Sequence, residues 1–379
     1  MADVSPFSPT FTLNGSASNP INFSNPWANF SSTNFASPFP PFVYDNVRPS
    51  PNYVFPAQTT VPAAFRPNFK LGMTQSWNAS VEQQFSGDLV MHLAYVGSQS
   101  YHQTLIIEAN PGQTAAAVRG TRGLTNYGQL LTINSNGTSS YHSLQAQFEK
   151  RFSHSFQAQS SFTWSKNIDV AATGNASFTG GISNPYDLRF NRGLSDLNFP
   201  LVSVTNLVYS TPKLKGWNPI ARNVLGEWEI SGIYTLQSGR PFSVSGGNGN
   251  NNSGALVYGD RADSVPGVVV QTHQGSKQQW LQQYFTTAAF AQNAAGTFGN
   301  SGRNILKGPG TNYSDAAVMK NWTIQERYKI QFRWELFNAF NRVTFGQPDA
   351  NPSSGTYGRI TATGPVKPRV MQGGLKVTF

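Results

Sequence analysis

The chain has 379 residues and no cysteine, which excludes disulfide frameworks and thiolate metal sites. Only 12% of the residues are charged, yet no run of 18 apolar residues occurs, which excludes a transmembrane helix. The net charge of +10 comes from dispersed Lys and Arg residues, a pattern that favours ordinary surface charge over a nucleic-acid-binding patch.

Residues 1–73 contain 12 of the 24 prolines, interleaved with Asn, Ser and Phe. Proline removes donors from a β-ladder, so this composition predicts a long irregular loop region rather than sheet interior. The first residues show neither a basic segment nor an apolar segment, so no signal peptide is expected there.

From residue 74 onwards the chain alternates apolar and polar residues with the period of β-strands. The cleanest pair is 140–152 and 156–166, joined by the turn Ser153-His154-Ser155. The pattern predicts nine strands: 74–85, 89–98, 140–152, 156–166, 201–210, 227–239, 315–323, 327–340 and 368–379.

The connections between these strands alternate between short and long. Turns at 86–88, 153–155 and 324–326 and a moderate connection at 211–226 alternate with loops at 99–139, 167–200, 240–314 and 341–367. Outer-membrane barrels have short periplasmic turns and long extracellular loops, and their strands have about ten residues. The sequence therefore predicts an all-β fold, an antiparallel transmembrane β-barrel segment of about nine to ten strands with long extracellular loops.

The two faces of the predicted strands have different expected surroundings. The apolar face should meet lipid through Leu144, Phe148, Phe162, Trp228, Ile230, Phe332, Trp334, Leu375 and Val377. Charged residues on the polar face are expected to line the lumen: Glu149, Arg151, Glu227, Glu229, Lys329, Arg333 and Glu335. Simple solvation of these charges is the alternative that the pattern leaves open.

Several segments together resemble the C-terminal part of TonB-dependent outer-membrane receptors of the Oar-like type, which carry a carboxypeptidase-regulatory-like domain. They are Ser76-Trp77-Asn78, Ala94 to Ser98, Gln237 to Phe242, Gly296 to Arg303, Phe337 to Asn341 and the final Phe379. The resemblance covers most of residues 66–379. It implies energised substrate uptake by a plugged barrel of about 22 strands, a plug domain and TonB as partners, and Phe379 as an insertion signal read by the barrel assembly machinery.

Strand parity indicates that the chain is a fragment of such a receptor, without the plug and the TonB box. Single-chain bacterial barrels have an even number of strands, and nine strands cannot close in that way. An odd number of strands is therefore missing upstream, or one strand lies hidden within residues 1–73. Counting back from Phe379 on the periplasmic side places residues 1–73 outside the cell, before the barrel strands of 74–379. The expected location is the outer membrane, in contact with its lipid.

No constellation of catalytic, cofactor-binding or metal-ligating residues appears, so an enzyme is not expected, nor is a cofactor. The five His residues lack ligand spacing, and Gly296, Gly299 and Gly302 precede Arg303 rather than the Lys of a phosphate-binding loop. Loop aromatics, Trp280, Tyr284, Phe285, Phe290 and Phe298, could contact a ligand, but packing among the loops is favoured.

Two other functions remain open on this pattern. One is a self-contained small outer-membrane barrel that acts as an adhesin or passive pore. The other is a soluble secreted β-structural protein, which would purify without detergent.

Overall fold

A computed structural model describes residues 59–125, 127–170, 182–246, 251–255, 259–273, 275–324 and 328–379. The predicted irregular region up to residue 58 and the turn at 325–327 lie outside these ranges. The strands are β1 (Thr59–Phe65), β2 (Met73–Ser86), β3 (Leu89–Glu108), β4 (Tyr127–Ser153), β5 (Phe156–Asp169), β6 (Gly193–Leu194), β7 (Leu201–Ser210), β8 (Trp228–Gln237), β9 (Pro241–Phe242), β10 (Asp263–Ser264), β11 (Phe290–Ala291), β12 (Leu306–Lys307), β13 (Thr311–Ile324), β14 (Tyr328–Phe337) and β15 (Val370–Thr378).

Helical structure in the described ranges is short. The α-helices are α1 (Pro219–Leu225) and α2 (Lys277–Gln282). Single 3₁₀ turns occur at Ala116–Val118, Leu188–Asn191 and Thr287–Ala289. None of the helices in the described residues has the length and apolar character needed to cross a membrane.

Nine long strands form one antiparallel sheet in the order β15-β14-β13-β8-β7-β5-β4-β3-β2. Each of the nine strands predicted from period-two alternation is present. Neighbours in the chain are neighbours in the sheet, apart from β6, which pairs only with the end of β5. The result is a continuous up-and-down meander, the topology of an outer-membrane barrel wall.

Register keeps the apolar residues of successive strands on one face, because directly opposed residues in an antiparallel ladder point to the same side. Val318 of β13 lies opposite both Ile230 and Trp334. Trp334 lies opposite Gly373 of β15, and the neighbours of Gly373 on the same face are Met371 and Leu375. Of the nine predicted lipid-facing side chains, seven are exposed; Trp228 and Phe332 are half-buried, with ring centroids 6.4 Å apart. These nine side chains therefore do not point towards a packed core.

The sheet does not close into a barrel within the described residues. Strand β2 pairs only with β3, and β15 pairs only with β14. Both edge strands are exposed along their whole length. The outer edge of β2, which is 14 residues long, therefore has no strand partner among the described residues. The same is true of the outer edge of β15, which is nine residues long.

The two ends of the sheet differ as the loop lengths predicted. The β2–β3 and β4–β5 turns lie at one end together with α1, and the described parts of the long loops lie at the other. The predicted strand bounds near 99–139 are wrong, however, because β3 continues to Glu108 and β4 already begins at Tyr127. This hairpin projects beyond the rest of the sheet.

Strand β1 lies in residues 1–73, where irregular chain was expected and one hidden strand was the alternative that parity left open. It pairs in parallel with the projecting part of β4, with Ala64 opposite Thr132 and Phe65 opposite Ile133. Lower along β4, from Ser139 to Ser153, the same edge pairs with β5. Strand β1 thus takes the place of β5 where β5 has ended, at the long-loop end.

Candidate functional site

The polar face of the sheet carries most of the charged residues singled out from the sequence. Glu229 and Arg333 both lie opposite Met319 of β13. Glu335 lies opposite Ala317 and Gln372. Lys329 and Glu149 occupy the same face of β14 and β4. One face of the sheet thus presents both carboxylates and cations, which a second polar surface could contact.

Neighbouring charges on this face pair with each other. Arg333 lies 3.3 Å from Glu335, and Arg151 lies 3.6 Å from Glu149, each pair two residues apart along one strand. The Gln372 amide donates a hydrogen bond to Glu335. Such exposed pairs stabilise a fold by at most about 1 kcal/mol. These pairs therefore contribute little to the stability of the fold.

Glu227 does not belong to this face. It precedes β8, has a φ of +57° and pairs with Lys213 at 2.9 Å. The predicted strand began one residue too early because the alternation continues into the turn. Glu227 lies at the short-turn end instead.

The long loops fold into an assembly with its own hydrophobic core at the other end. Tyr284 and Phe285 are fully buried there, and Phe285 packs edge-to-face on Phe242, Phe290 and Tyr357. Burial raises the pKa of the Tyr284 hydroxyl, which donates a 3.0 Å hydrogen bond to the Lys307 carbonyl. The loop aromatics therefore pack on each other, as the sequence favoured. This leaves the half-buried Trp280 and Phe298 as the candidates among them for ligand contact.

Two polar clefts flank α2 on this assembly. The larger, about 890 Å³, is lined mainly by glutamines, with Gln271, Gln279 and Gln283 among them. The smaller, about 510 Å³, has Trp280, Phe345, Lys277 and Arg342 in its lining. Amide side chains can both donate and accept hydrogen bonds. The larger cleft therefore suits a neutral polar ligand better than an ionic one.

A buried ion pair fixes the loop assembly to the sheet. Arg303 donates to the Asp169 carboxylate at the end of β5 and lies 3.7 Å from Asp196. Asn304, next in the chain, donates to the Leu194 carbonyl and to the Asp196 carboxylate, both at 2.7 Å. Sequence reasoning did not find this anchor, because Asp169 and Arg303 are 134 residues apart.

Arg261 forms a second attachment inside the loops. Its guanidinium donates to the carbonyls of Ser301 and Phe190, both at 2.8 Å, and lies 3.8 Å from the centre of the Phe190 ring. Burial, with Arg303 nearby, lowers its pKa to about 10. Arg261 therefore stays charged near neutral pH while it links two loops.

Among the segments that carry the family resemblance, Ser76-Trp77-Asn78 and Ala94 to Ser98 lie within β2 and β3, whereas the others lie in the long loops or at strand ends. Gly299 has a φ of +79°, and a Cβ there would lie 1.9 Å from the Arg261 carbonyl oxygen. At Gly239 a Cβ would lie 1.8 Å from the Gly308 carbonyl oxygen. Buried Asn338, with a φ of +53°, donates to the carbonyls of Arg342 and Lys367. These residues shape the rim of the sheet.

No group of three or more His, Asp or Glu side chains in the described residues is placed to hold a metal ion. His142, for example, accepts or donates a 2.8 Å hydrogen bond with the Tyr95 hydroxyl on the apolar face. The C-terminal Phe379 is 89% exposed at the short-turn end, and its role as an insertion signal remains a prediction.

Comparison with known proteins identifies the fold family. Residues 1–372 match the profile of an outer membrane beta barrel domain. Comparison with curated proteins gives no match. Solved structures with some similarity are the outer membrane transporter YddB from Escherichia coli (11% identity, TM-score 0.45) and the FrpB iron transporter from Neisseria meningitidis (12%, 0.39). The alignments cover 85% and 84% of this chain but only 34% and 33% of those proteins, so the chain spans about a third of their length.

Proposed function

Because the chain belongs to the outer membrane beta barrel domain family, we propose that it is the C-terminal wall of a TonB-dependent receptor that takes up a substrate across the outer membrane. The family places it in the outer membrane and among membrane barrels rather than enzymes. It also favours a membrane barrel over a soluble secreted β-structural protein.

The open sheet is the observation that carries the proposal. In lipid, each unpaired backbone group costs several kcal/mol, so exposed strand edges are not tolerated in the hydrocarbon region. Strands β2 and β15 therefore need further partners, which the remainder of a larger barrel would supply. The chain is then a fragment of a receptor whose plug and TonB box lie elsewhere.

The charged polar face fits the lumen of such a receptor. A water-filled lumen is also polar, but a plug domain has polar groups that can pair directly with these carboxylates and cations. We expect Glu149, Glu229, Lys329, Arg333 and Glu335 to contact the plug. Arg151, next to the β4–β5 turn, would contact its periplasmic side.

The resemblance of the rim segments supports an assignment to the Oar-like type. Gln237 to Phe242 and Gly296 to Arg303 fix long loops onto the barrel, and the loops fold into one body with polar clefts. Such a body would meet a substrate before it reaches the lumen. The glutamine-lined cleft beside α2 is the proposed first contact.

The first experiment asks how large the native protein is and what lies against its polar face. Antibodies raised against the 259–314 loop should detect, in native outer membranes, a species far larger than 41.3 kDa. In that species, Gln331→Cys on the polar face should crosslink to a segment of the same polypeptide, identified by mass spectrometry. Leu375→Cys on the apolar face is the matched control and should not crosslink.

A second experiment separates the receptor from the small-barrel alternative. The 41.3 kDa chain, purified alone in lipid bilayers, should form no steady pore, because its sheet edges are unpaired. A stable conductance from this chain, or a native species of its own mass, would refute the receptor proposal and support a passive pore.

A further inference from the structure

The β7–β8 hairpin ends higher on the sheet than the neighbouring β13–β14 hairpin. Strand β8 begins at Trp228, which lies opposite Lys320. Strand β13 continues for four more residues to Ile324 and pairs there only with β14. The connection that contains α1 lies beside this step.

Three side chains from the lipid-facing side of the sheet hold the end of α1. The indole nitrogen of Trp228 donates to the Val224 carbonyl at 2.7 Å, and that of Trp322 donates to the Asn223 carbonyl at 3.3 Å. The Lys320 ammonium donates to the Gly226 carbonyl. The last carbonyls of a helix have no partner within the helix. Helix α1 is therefore fixed to the apolar face, outside the lumen.

Lys320 would be unfavourable on this face if lipid surrounded it, since a cation there is costly. It is only 1% exposed, and its ammonium lies 5.5 Å and 5.8 Å from the ring centres of Trp228 and Trp322. The helix and the two indoles thus separate the charge from lipid. This explains how the apolar face accommodates a lysine.

The opposite side of α1 is apolar and uncovered. Ile220 is 77% exposed, and Val224, one helical turn later, is 56% exposed. Trp217 and Leu225 extend the patch and are also more than half exposed. An exposed apolar patch marks an interaction surface, and this one continues the lipid-facing wall.

Cations border the patch. Lys215 and Arg222 are exposed on the α1 connection, and Lys213 pairs with Glu227 at 2.9 Å. A helix with an apolar side and a basic side lies in the plane of a membrane interface, with the cations near lipid phosphates. We propose that α1 is an interfacial anchor that inserts Ile220 and Val224 into the periplasmic leaflet and binds anionic phospholipid headgroups through Lys215 and Arg222.

The position of α1 on the sheet indicates that phospholipid covers its apolar side. Short turns of outer-membrane barrels face the periplasm, and α1 lies at the short-turn end. Its three anchors lie on the face that meets lipid. The proposal depends on the location in the outer membrane and not on transport, so a failure of the receptor proposal would leave it standing.

The absence of cysteine in the chain permits site-specific labelling to test the insertion. Ile220→Cys and Arg222→Cys each carry an environment-sensitive fluorophore, in the full-length native protein with any cysteine outside this chain replaced by Ser, folded in phosphatidylcholine vesicles that contain spin-labelled lipid. Folding of each variant is checked by its heat-dependent electrophoretic mobility. The label at 220 should be quenched more strongly than the label at 222. Equal quenching, or a water-like emission at 220, would refute insertion.

Headgroup preference is measured with the label at 220 by comparing quenching by spin-labelled phosphatidylglycerol and spin-labelled phosphatidylcholine. Replacing Lys215 and Arg222 by Gln should lower the relative affinity for phosphatidylglycerol about fivefold per cation. The pair Lys215→Arg and Arg222→Lys keeps both charges and should keep the preference. An unchanged preference in the Gln variant would refute headgroup binding, even if insertion is observed.

Discussion

Replacing Phe162 by Arg tests whether the apolar face meets lipid. Phe162 is 41% exposed on β5 and lies six residues after Phe156, the first residue of the strand at the short-turn end. A rise of about 3.3 Å per residue places it about 20 Å along the strand. With a strand tilt of about 40°, it lies about 15 Å above that end, near the middle of an apolar band about 25 Å tall.

Arg at this depth on the lipid face should destabilise the folded barrel by about 2–4 kcal/mol. That range corresponds to a change of about thirtyfold to several hundredfold in the unfolding equilibrium. The same substitution at Tyr209, which is 42% exposed on the same face and lies opposite Phe156 at the strand end, should cost only about 0–1 kcal/mol. The measurement is guanidinium unfolding of the barrel in phospholipid vesicles, followed by tryptophan fluorescence.

Thr163→Arg is the matched control, because it lies at nearly the same depth on the same strand but on the polar face. It should be almost neutral in a hydrated lumen. If Thr163→Arg destabilises the barrel as much as Phe162→Arg, the assignment of the two faces is refuted.

Three other predictions concern the terminus and the loop assembly. Deletion of Phe379 from the native receptor should lower its amount in the outer membrane on immunoblots, and an unchanged amount would leave Phe379 as an ordinary interface aromatic. Arg303→Ala leaves the buried Asp169 carboxylate without its cation, so the loop assembly should lose about 3–5 kcal/mol and be cleaved faster by protease, whereas wild-type resistance would contradict the anchor. Gly299→Ala should destabilise the assembly by more than about 1 kcal/mol, because its φ is +79° and a backbone oxygen occupies the Cβ position. Gly355→Ala, where no atom lies within 4 Å of an added Cβ, is the control and should have little effect in the same assay.

The strands and their faces could be predicted from the sequence because strand alternation is a local property. Phe148 and Glu149 point to opposite sides of β4 wherever β4 is placed. The lengths of the connections then predicted which ends of the strands carry short turns and which carry long loops. These two signals were sufficient for the barrel class, for the apolar face and for most of the charged polar face.

The strand ends were less predictable, since the alternation does not show where pairing stops. Glu227 continues the pattern of β8 but lies in a turn with positive φ. Strands β3 and β4, by contrast, are longer than predicted, because they continue to pair with each other beyond the rest of the sheet. Strand β1 forms only because that projecting hairpin offers it an edge.

The loop assembly and α1 were decided by tertiary contacts alone. Arg303 meets Asp169 across 134 residues, and no local pattern relates them. Lys320 occupies an apolar position in the alternation of β13, where the sequence gives no reason for a cation. Only the folded chain brings Trp228, Trp322 and the carbonyl ends of α1 around its ammonium, because burial of a charge depends on partners that are distant in sequence.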